Sequence, residues 1–209
     1  GVQPHLFVDA SLKTTIKLRV IGRTQQLLRI DFEEKPTDDA LLAKLDEYER
    51  VLDAHDVVVF SDYGKGGLTH ITRMIAAARA AGRRVLVDPK GSEYGRYRGA
   101  NLITPNRAEL REVVGRWADE AQLTAKAQAL RADLGLEALL LTRSEEGMSL
   151  YGDGAPLHVP TVAREVFDVS GAGDTVIATL AAALGAGGSL EEAVRLANQA
   201  AGIVVGKLG

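Results

Sequence analysis

From Asp38 onward the sequence alternates between two hydrophobic periods, and this alternation restricts the chain to few architectures. Leu41, Leu42, Leu45, Tyr48 and Leu52 recur at helical spacing. Val57-Val58-Val59-Phe60 follows as an unbroken apolar run, the pattern of a strand buried on both faces. The rhythm then repeats, with a helix predicted over 68–81, a strand over 85–87, a short strand at 102–103, helices within 106–134 and a strand over 138–141. Residues 148–151 and 157–159 read as further strands, and helices over 172–184 and 190–205 complete the series. Ser189 with Glu192 three residues on is a capping box for the last of them. Strands separated by helices predict an α/β fold with a mainly parallel sheet and helices on both faces.

The segment before Asp38 does not share that rhythm. Ile16, Leu18 and Val20 alternate with Lys17 and Arg19, and Leu28, Ile30 and Phe32 alternate with Arg29 and Asp31. With Gly22 between them, these runs predict a two-stranded β unit within 14–34, standing apart as a small lid or interaction surface.

Composition narrows the function classes. A net charge of −3 with no basic block gives no reason to expect a nucleic acid or an anionic membrane as partner. No run of 18 apolar residues is present, so no transmembrane helix is expected. The absence of cysteine excludes disulfides, thiolate metal sites and cysteine nucleophiles, and fits a cytoplasmic protein. The start at Gly1 without Met, and the end at Gly209 directly after a helical pattern, suggest part of a longer chain.

Several familiar signatures fail. Residues 64–69 carry Thr69 where a dinucleotide fingerprint needs its third glycine, and Ser170 lacks the preceding glycine of a nucleophile elbow. His5, His55, His70 and His158 show no ligand spacing.

One motif holds. Asp168-Val169-Ser170-Gly171-Ala172-Gly173-Asp174-Thr175 stands immediately before a helix of small apolar residues. Glycines leave the main chain open, so successive amides can converge on an anion, and the helix N-terminus adds partial positive charge there. That environment suits the charge developing on a phosphoryl group in transfer, with Asp174 beside it as a proton acceptor. The plainer alternative is a glycine turn with an aspartate that complements the helix dipole.

The run from Asp168 to Asp174 resembles the signature D-T-x-G-A-G-D of the ribokinase family of carbohydrate kinases, with Val169 in place of the usual Thr. The resemblance implies a ribokinase-like fold over residues 1–209, incomplete at its N-terminal side because the family's Gly-Asp and Gly-Gly-Asn sugar-binding motifs do not occur before Thr14. It implies ATP as donor, Asp174 as catalytic base, and an anion hole from the amides of Gly171, Ala172 and Gly173. Thr104-Pro105-Asn106-Arg107-Ala108-Glu109 resembles the family's N-x-x-E motif, which implies that Asn106, Arg107, Ala108 and Glu109 lie beside the phosphates. Glu109 and Asn106 would then hold Mg²⁺ through water, although Asn followed by Glu is equally a helix cap. Thr142, Arg143 and Gly147, in the segment 141–147, resemble the family's nucleotide edge, and Asn198 matches a position near adenine.

Within the family, residues 14–20, 25–33, 61–66, 87–91 and 97–100 resemble the kinases that phosphorylate a heptose 7-phosphate at O1 in ADP-heptose and lipopolysaccharide core synthesis. A sugar phosphate would explain basic residues in the loops. Lys65 and Lys90 follow buried strands at the edge where such folds bind ligands, Lys90 shared between ATP and sugar phosphate, and Asp62 and Arg98 join them as candidates. The lid implies a homodimer. Another sugar phosphate or a nucleoside as acceptor, or a non-catalytic nucleotide-binding remnant, remain alternatives.

Overall fold

The structure is a computed structural model that describes residues 2–6, 8–9, 12–23, 25–162, 169 and 171–206. Strands β1 (Ile16–Gly22) and β2 (Gln25–Phe32) form an antiparallel two-stranded sheet of their own. In register, Ile16 pairs with Phe32, Leu18 with Ile30 and Val20 with Leu28, so one face is apolar throughout. All six of these side chains are exposed.

Helix α1 (Asp38–Val51) follows, started by Thr37, whose side chain accepts from the Ala40 amide at 3.3 Å. The main body then runs β3 (Val57–Ser61), α2 (Ile71–Ala80), β4 (Arg84–Asp88), β5 (Leu102–Ile103), α3 (Arg107–Val114), α4 (Glu120–Leu134), β6 (Ala138–Thr142), β7 (Met148–Tyr151), β8 (Leu157–Val159), α5 (Ala172–Gly185) and α6 (Leu190–Val205). The six strands lie in the order β3-β4-β5-β6-β7-β8. Neighbours are parallel from β3 to β6, and β7 and β8 add antiparallel pairs.

Strand alternation divides the core into two layers. Val85 and Val87 of β4 join Ile103, Leu139 and Leu141 beneath α1, α2, α3 and α4. Leu86 faces the other way, with Leu102, Leu140 and Met148, against Val176, Ile177 and Leu180 of α5 and Val194 of α6. Helices therefore cover both faces, as the alternation predicts. One expectation is corrected: β3 is not buried on both faces, since Val59 is 39% exposed. Among the described residues β3 is one of the two edge strands of the sheet, and Gly185 of α5 approaches Val57 at its beginning. Helix α2 also starts three residues later than its apolar pattern, because Gly64 and Gly66 hold the preceding turn at positive φ.

Candidate active site

The carboxyl ends of β3, β4, β5 and β6 open on one edge of the sheet, the edge where open α/β folds bind ligands. Helix α5 begins there, with Gly171 as its N-cap in the left-handed region (φ 75°). Among the described residues, a side chain on Gly171 or Gly173 would meet nothing within 4 Å, which leaves the backbone at the helix start open toward them. The Ala172 amide donates to the Val169 carbonyl at 3.2 Å, so this member of the expected trio also closes the turn. Asp174 lies in the first helical turn and is exposed. Asp168 and Ser170, two further polar members of the motif, lie outside the described residues.

On one side of this helix start is a cavity of about 510 Å³. Thr142, Ser144, Gly147, Ala172, Gly173 and Asn198 line it, so three of the segments expected at a nucleotide site meet here, whereas Asn106, Arg107 and Ala108 line a different cavity. Gly147 has φ 91°, and a Cβ there would collide with the Val159 carbonyl and come within 2.6 Å of the Thr161 amide. Only glycine lets the loop after β6 pass β8. Asn198 is buried and donates to the Pro160 carbonyl at 2.8 Å, bracing the wall of the cavity. Arg143 does not face a ligand. Its buried guanidinium donates to Glu120 at 2.5 and 2.9 Å, to Glu146 at 2.9 Å and to Ser149 at 3.1 Å. These charged bonds push its pKa further above the ordinary guanidinium value and fix the loop's shape.

The β5–α3 turn carries the second expected motif. Asn106 Oδ1 accepts from the amides of Ala108 and Glu109 at 2.9 and 3.0 Å, and the Asn106 amide donates to the Glu109 carboxylate at 3.0 Å. The capping box is thus real, and it occupies the Asn106 oxygen that was expected near a metal. Arg107 pairs with Glu146, tying this turn to the nucleotide loop. Glu109 keeps its other oxygen for Lys90, at 2.9 Å, and this bond raises the lysine's pKa.

Asp88, at the end of β4, lies in the segment 87–91 that carries the resemblance but is not among the expected site residues. Burial first, then the charges of Glu109 and Asp174, push its carboxyl up to about 6. Asp88, Glu109 and Asp174 therefore share one electrostatic neighbourhood beside Lys90. Among the described residues no three acidic, imidazole or thiolate groups form a closed metal cage. Asp88 and Glu109 are oxygen donors, the ligand type that Mg²⁺ takes.

On the other side of Asp174, the loop after β3 separates two neighbouring residues into different roles. Asp62 is 6% exposed and fully engaged: it accepts from the Gly64 amide and the Tyr97 hydroxyl, both at 2.8 Å, with Arg96 at 3.6 Å. It shapes the loop rather than presenting a free carboxylate to substrate. Tyr63, next to it, is exposed and donates to Asp174 Oδ1 at 3.2 Å. Lys65 pairs with Glu33 after β2 and so ties the lid to the site.

Arg98 is not brought to this edge. The chain from β4 to β5 crosses back to the amino end of the sheet, where Gly99 donates to the Leu134 carbonyl and Arg98 binds Asp133.

Comparison with solved structures places this architecture in the ribokinase-like fold. Arabidopsis thaliana ribokinase complexed with ribose and ATP superposes with a TM-score of 0.71 at 23% identity, over 90% of this chain and 61% of that one. Escherichia coli phosphofructokinase-2 in complex with fructose-6-phosphate gives 0.74 at 22%, over 93% and 65%. The chain belongs to the pfkB family of carbohydrate kinases, whose profile matches residues 1–209. It is 56% identical over its whole length to D-beta-D-heptose 7-phosphate kinase of Bordetella bronchiseptica, spanning 67% of that protein. It is 60% identical to the bifunctional protein HldE of Azotobacter vinelandii, again over all of this chain, and spans only 44% of that relative.

Proposed function

We propose that this chain carries the ATP site, the catalytic base and part of the acceptor site of a kinase that phosphorylates a heptose 7-phosphate at O1. One observation carries the reading: Asp174 stands between the cavity lined by Thr142, Gly147 and Asn198 and a second, lysine-lined cavity reached through Tyr63. The name of the Bordetella bronchiseptica relative, at 56% identity, supplies the sugar. The product would enter ADP-heptose and lipopolysaccharide core synthesis in the cytoplasm.

In this reading the triphosphate lies along the open backbone at Gly171 and Gly173, with Lys90 and Glu109 at its outer end. Asp174 takes the proton from the acceptor hydroxyl as its oxygen attacks the γ-phosphorus in line, and ADP leaves. The glycine amides and the helix dipole balance the charge growing on the transferred group. Mg²⁺, when bound through water to Glu109 and near Asp88, would neutralise the phosphate oxygens.

The apolar face of β1 and β2 supports a homodimer through the lid, since six exposed apolar side chains on one small sheet form a patch that another surface can bury. Leu18→Lys with Ile30→Lys is expected to convert the dimer to monomer in analytical ultracentrifugation; a concentration-independent monomer before mutation would refute the assembly.

The substrate is tested by ADP release from the full-length protein with ATP, Mg²⁺ and heptose 7-phosphate, fructose 6-phosphate or ribose. Turnover confined to the heptose is expected. Turnover on another sugar would discard the heptose and keep the kinase. ATP binding without turnover on any of them would favour a nucleotide-binding remnant.

A further inference from the structure

Beside the nucleotide cavity lies another of about 710 Å³, to which the proposed phosphoryl transfer assigns no step. Arg107 and Arg111 of α3, Arg116 and Trp117 of the segment between α3 and α4, and Ser144 of the loop after β6 line it. Ser144 also lines the nucleotide cavity, so the two spaces meet at that residue.

The three guanidinium groups on this space are unequally compensated. Arg107 pairs with Glu146, which Arg143 also binds. Glu120, at the start of α4, is bound to Arg143 as well. Arg111 and Arg116 are exposed, and among the described residues neither side chain makes an ion pair or a hydrogen bond. Trp117 stands with them. It is the only tryptophan in residues 1–209, and it packs against the first core layer while it lines the cavity. Among the described residues no aromatic ring or cation stacks on its indole.

Two uncompensated arginines beside an unstacked indole suit a ligand with two parts, a phosphate and a planar ring. A phosphate monoester carries a charge of about −2 near neutral pH, which two arginines balance. Arginine also matches phosphate with paired N–H donors, and an aromatic base adds an offset-stacked contact with indole. A bare inorganic anion would leave the indole unused, and an apolar ligand would leave the arginines so.

We propose that this cavity is a second, regulatory site for a nucleoside monophosphate, its phosphate on Arg111 and Arg116 and its base on Trp117. Arg107 couples it to the nucleotide cavity. A phosphate here competes with Glu146 for that guanidinium, and Glu146 ends the turn Ser144–Glu146 of the nucleotide loop. Weakening the Arg107–Glu146 pair unties that turn from α3. Occupancy therefore lowers the affinity for ATP, and ATP lowers the affinity for the monophosphate by the same factor. The site is independent of the sugar, and only its coupling rests on the reading that ATP fills the neighbouring cavity.

The test is a titration of the full-length protein with AMP, followed through tryptophan emission, with Mg²⁺ and a saturating non-hydrolysable ATP analogue present. Wild-type emission is expected to change saturably, and Trp117→Phe, which keeps a ring against the core, should lose the signal. The double variant Arg111→Ser, Arg116→Ser should bind AMP about tenfold or more weakly, as loss of charged contacts does, with its melting temperature unchanged. Adenosine and ribose 5-phosphate, each with one part of the ligand, should also bind at least about tenfold more weakly than AMP. Calorimetry then reads the coupling: AMP should raise the dissociation constant of the ATP analogue about fivefold and no further. Absence of the emission change in wild type, or its survival in the double variant, would overturn the proposal. So would a loss of analogue affinity that keeps growing in proportion to AMP, since that is competition for one cavity. Failure of the analogue to bind at all would overturn the kinase reading and the coupling with it, whereas Trp117 would still report AMP in its own cavity.

Discussion

The nucleotide side and the acceptor side of Asp174 are built on opposite principles. The nucleotide side is rigid by burial: every residue of β7 is buried, Arg143 is locked by bonds to two carboxylates and Ser149, and Gly147 has no spare room. The acceptor side is assembled from exposed parts, with a lid whose residues are almost all exposed and which reaches the body through the Lys65–Glu33 pair. Exposed ion pairs contribute little to stability, about 0–1 kcal/mol each. On the proposed reading, the contrast implies a nucleotide side whose shape is fixed by the fold and an acceptor side whose lid owes little of its position to packing.

Substitutions can break this contrast at its junction or within either half. The largest effect belongs to the junction. Asp174→Asn should lower kcat about 10³-fold, the scale of a lost general base, while the dissociation constant for ATP, measured by calorimetry, stays near wild type. A parallel loss of ATP affinity would mean that Asp174 belongs to the nucleotide side alone. Next is Gly147→Ala, which should destabilise the fold by about 3 kcal/mol through overlap with Val159 and Thr161. For a chain of this size that corresponds to a fall of about 10 °C in Tm, with ATP binding lost before unfolding. Gly171→Ala serves as its counterpart, since the space beside it is open and the cost is backbone strain of about 1–2 kcal/mol. Similar melting curves for the two variants would contradict the tight packing assigned to the nucleotide loop.

Sequence and structure agree best where information is local. Periodicity locates every strand and helix of the main body because each element needs only its own burial pattern, and the glycine run announces an anion site because helix start, small residues and acid are contiguous. Agreement fails where a side chain's fate depends on a distant partner. Asp62 and Tyr63 are adjacent, yet Tyr97 takes the first and Asp174, 111 residues away, receives the second. Arg98 follows a loop rich in basic residues, but the turn at Tyr94–Tyr97 carries it to the opposite edge of the sheet. Lys44 reads as an ordinary helix-face charge until α1 packs beside the Gly67 turn.

Asp88 offers a smaller, pH-dependent test at the same junction. Its pKa of about 6 lies above the usual carboxylate value, so the folded state favours the protonated form. Its favourable contribution is complete below about pH 4, the unfolded value, and is lost as pH rises through about 6. Asp88→Asn should therefore stabilise the protein at pH 7.5 by about 1 kcal/mol after solvent screening is allowed for. The difference from wild type should shrink toward pH 4, as measured by urea unfolding at both values. A gain independent of pH would place its cause outside the acidic neighbourhood of Glu109 and Asp174.

The smallest effect is the most discriminating. Tyr63 is 61% exposed and donates to Asp174 Oδ1 at 3.2 Å, so its hydroxyl contributes a modest, solvent-accessible bond. Removing it in Tyr63→Phe keeps the ring that walls the acceptor cavity and deletes only the contact with the base. If Tyr63 orients Asp174 toward the acceptor hydroxyl, kcat should fall about fivefold, the equivalent of about 1 kcal/mol. KM for ATP should not move, because the nucleotide side is fixed by bonds that Tyr63 does not share. KM for the sugar phosphate should also stay close to wild type, because the ring that walls the acceptor cavity is kept and only the bond to Asp174 is lost. A rise in that KM at constant kcat would instead assign the Tyr63 hydroxyl to the substrate, and would leave Asp174 oriented without it.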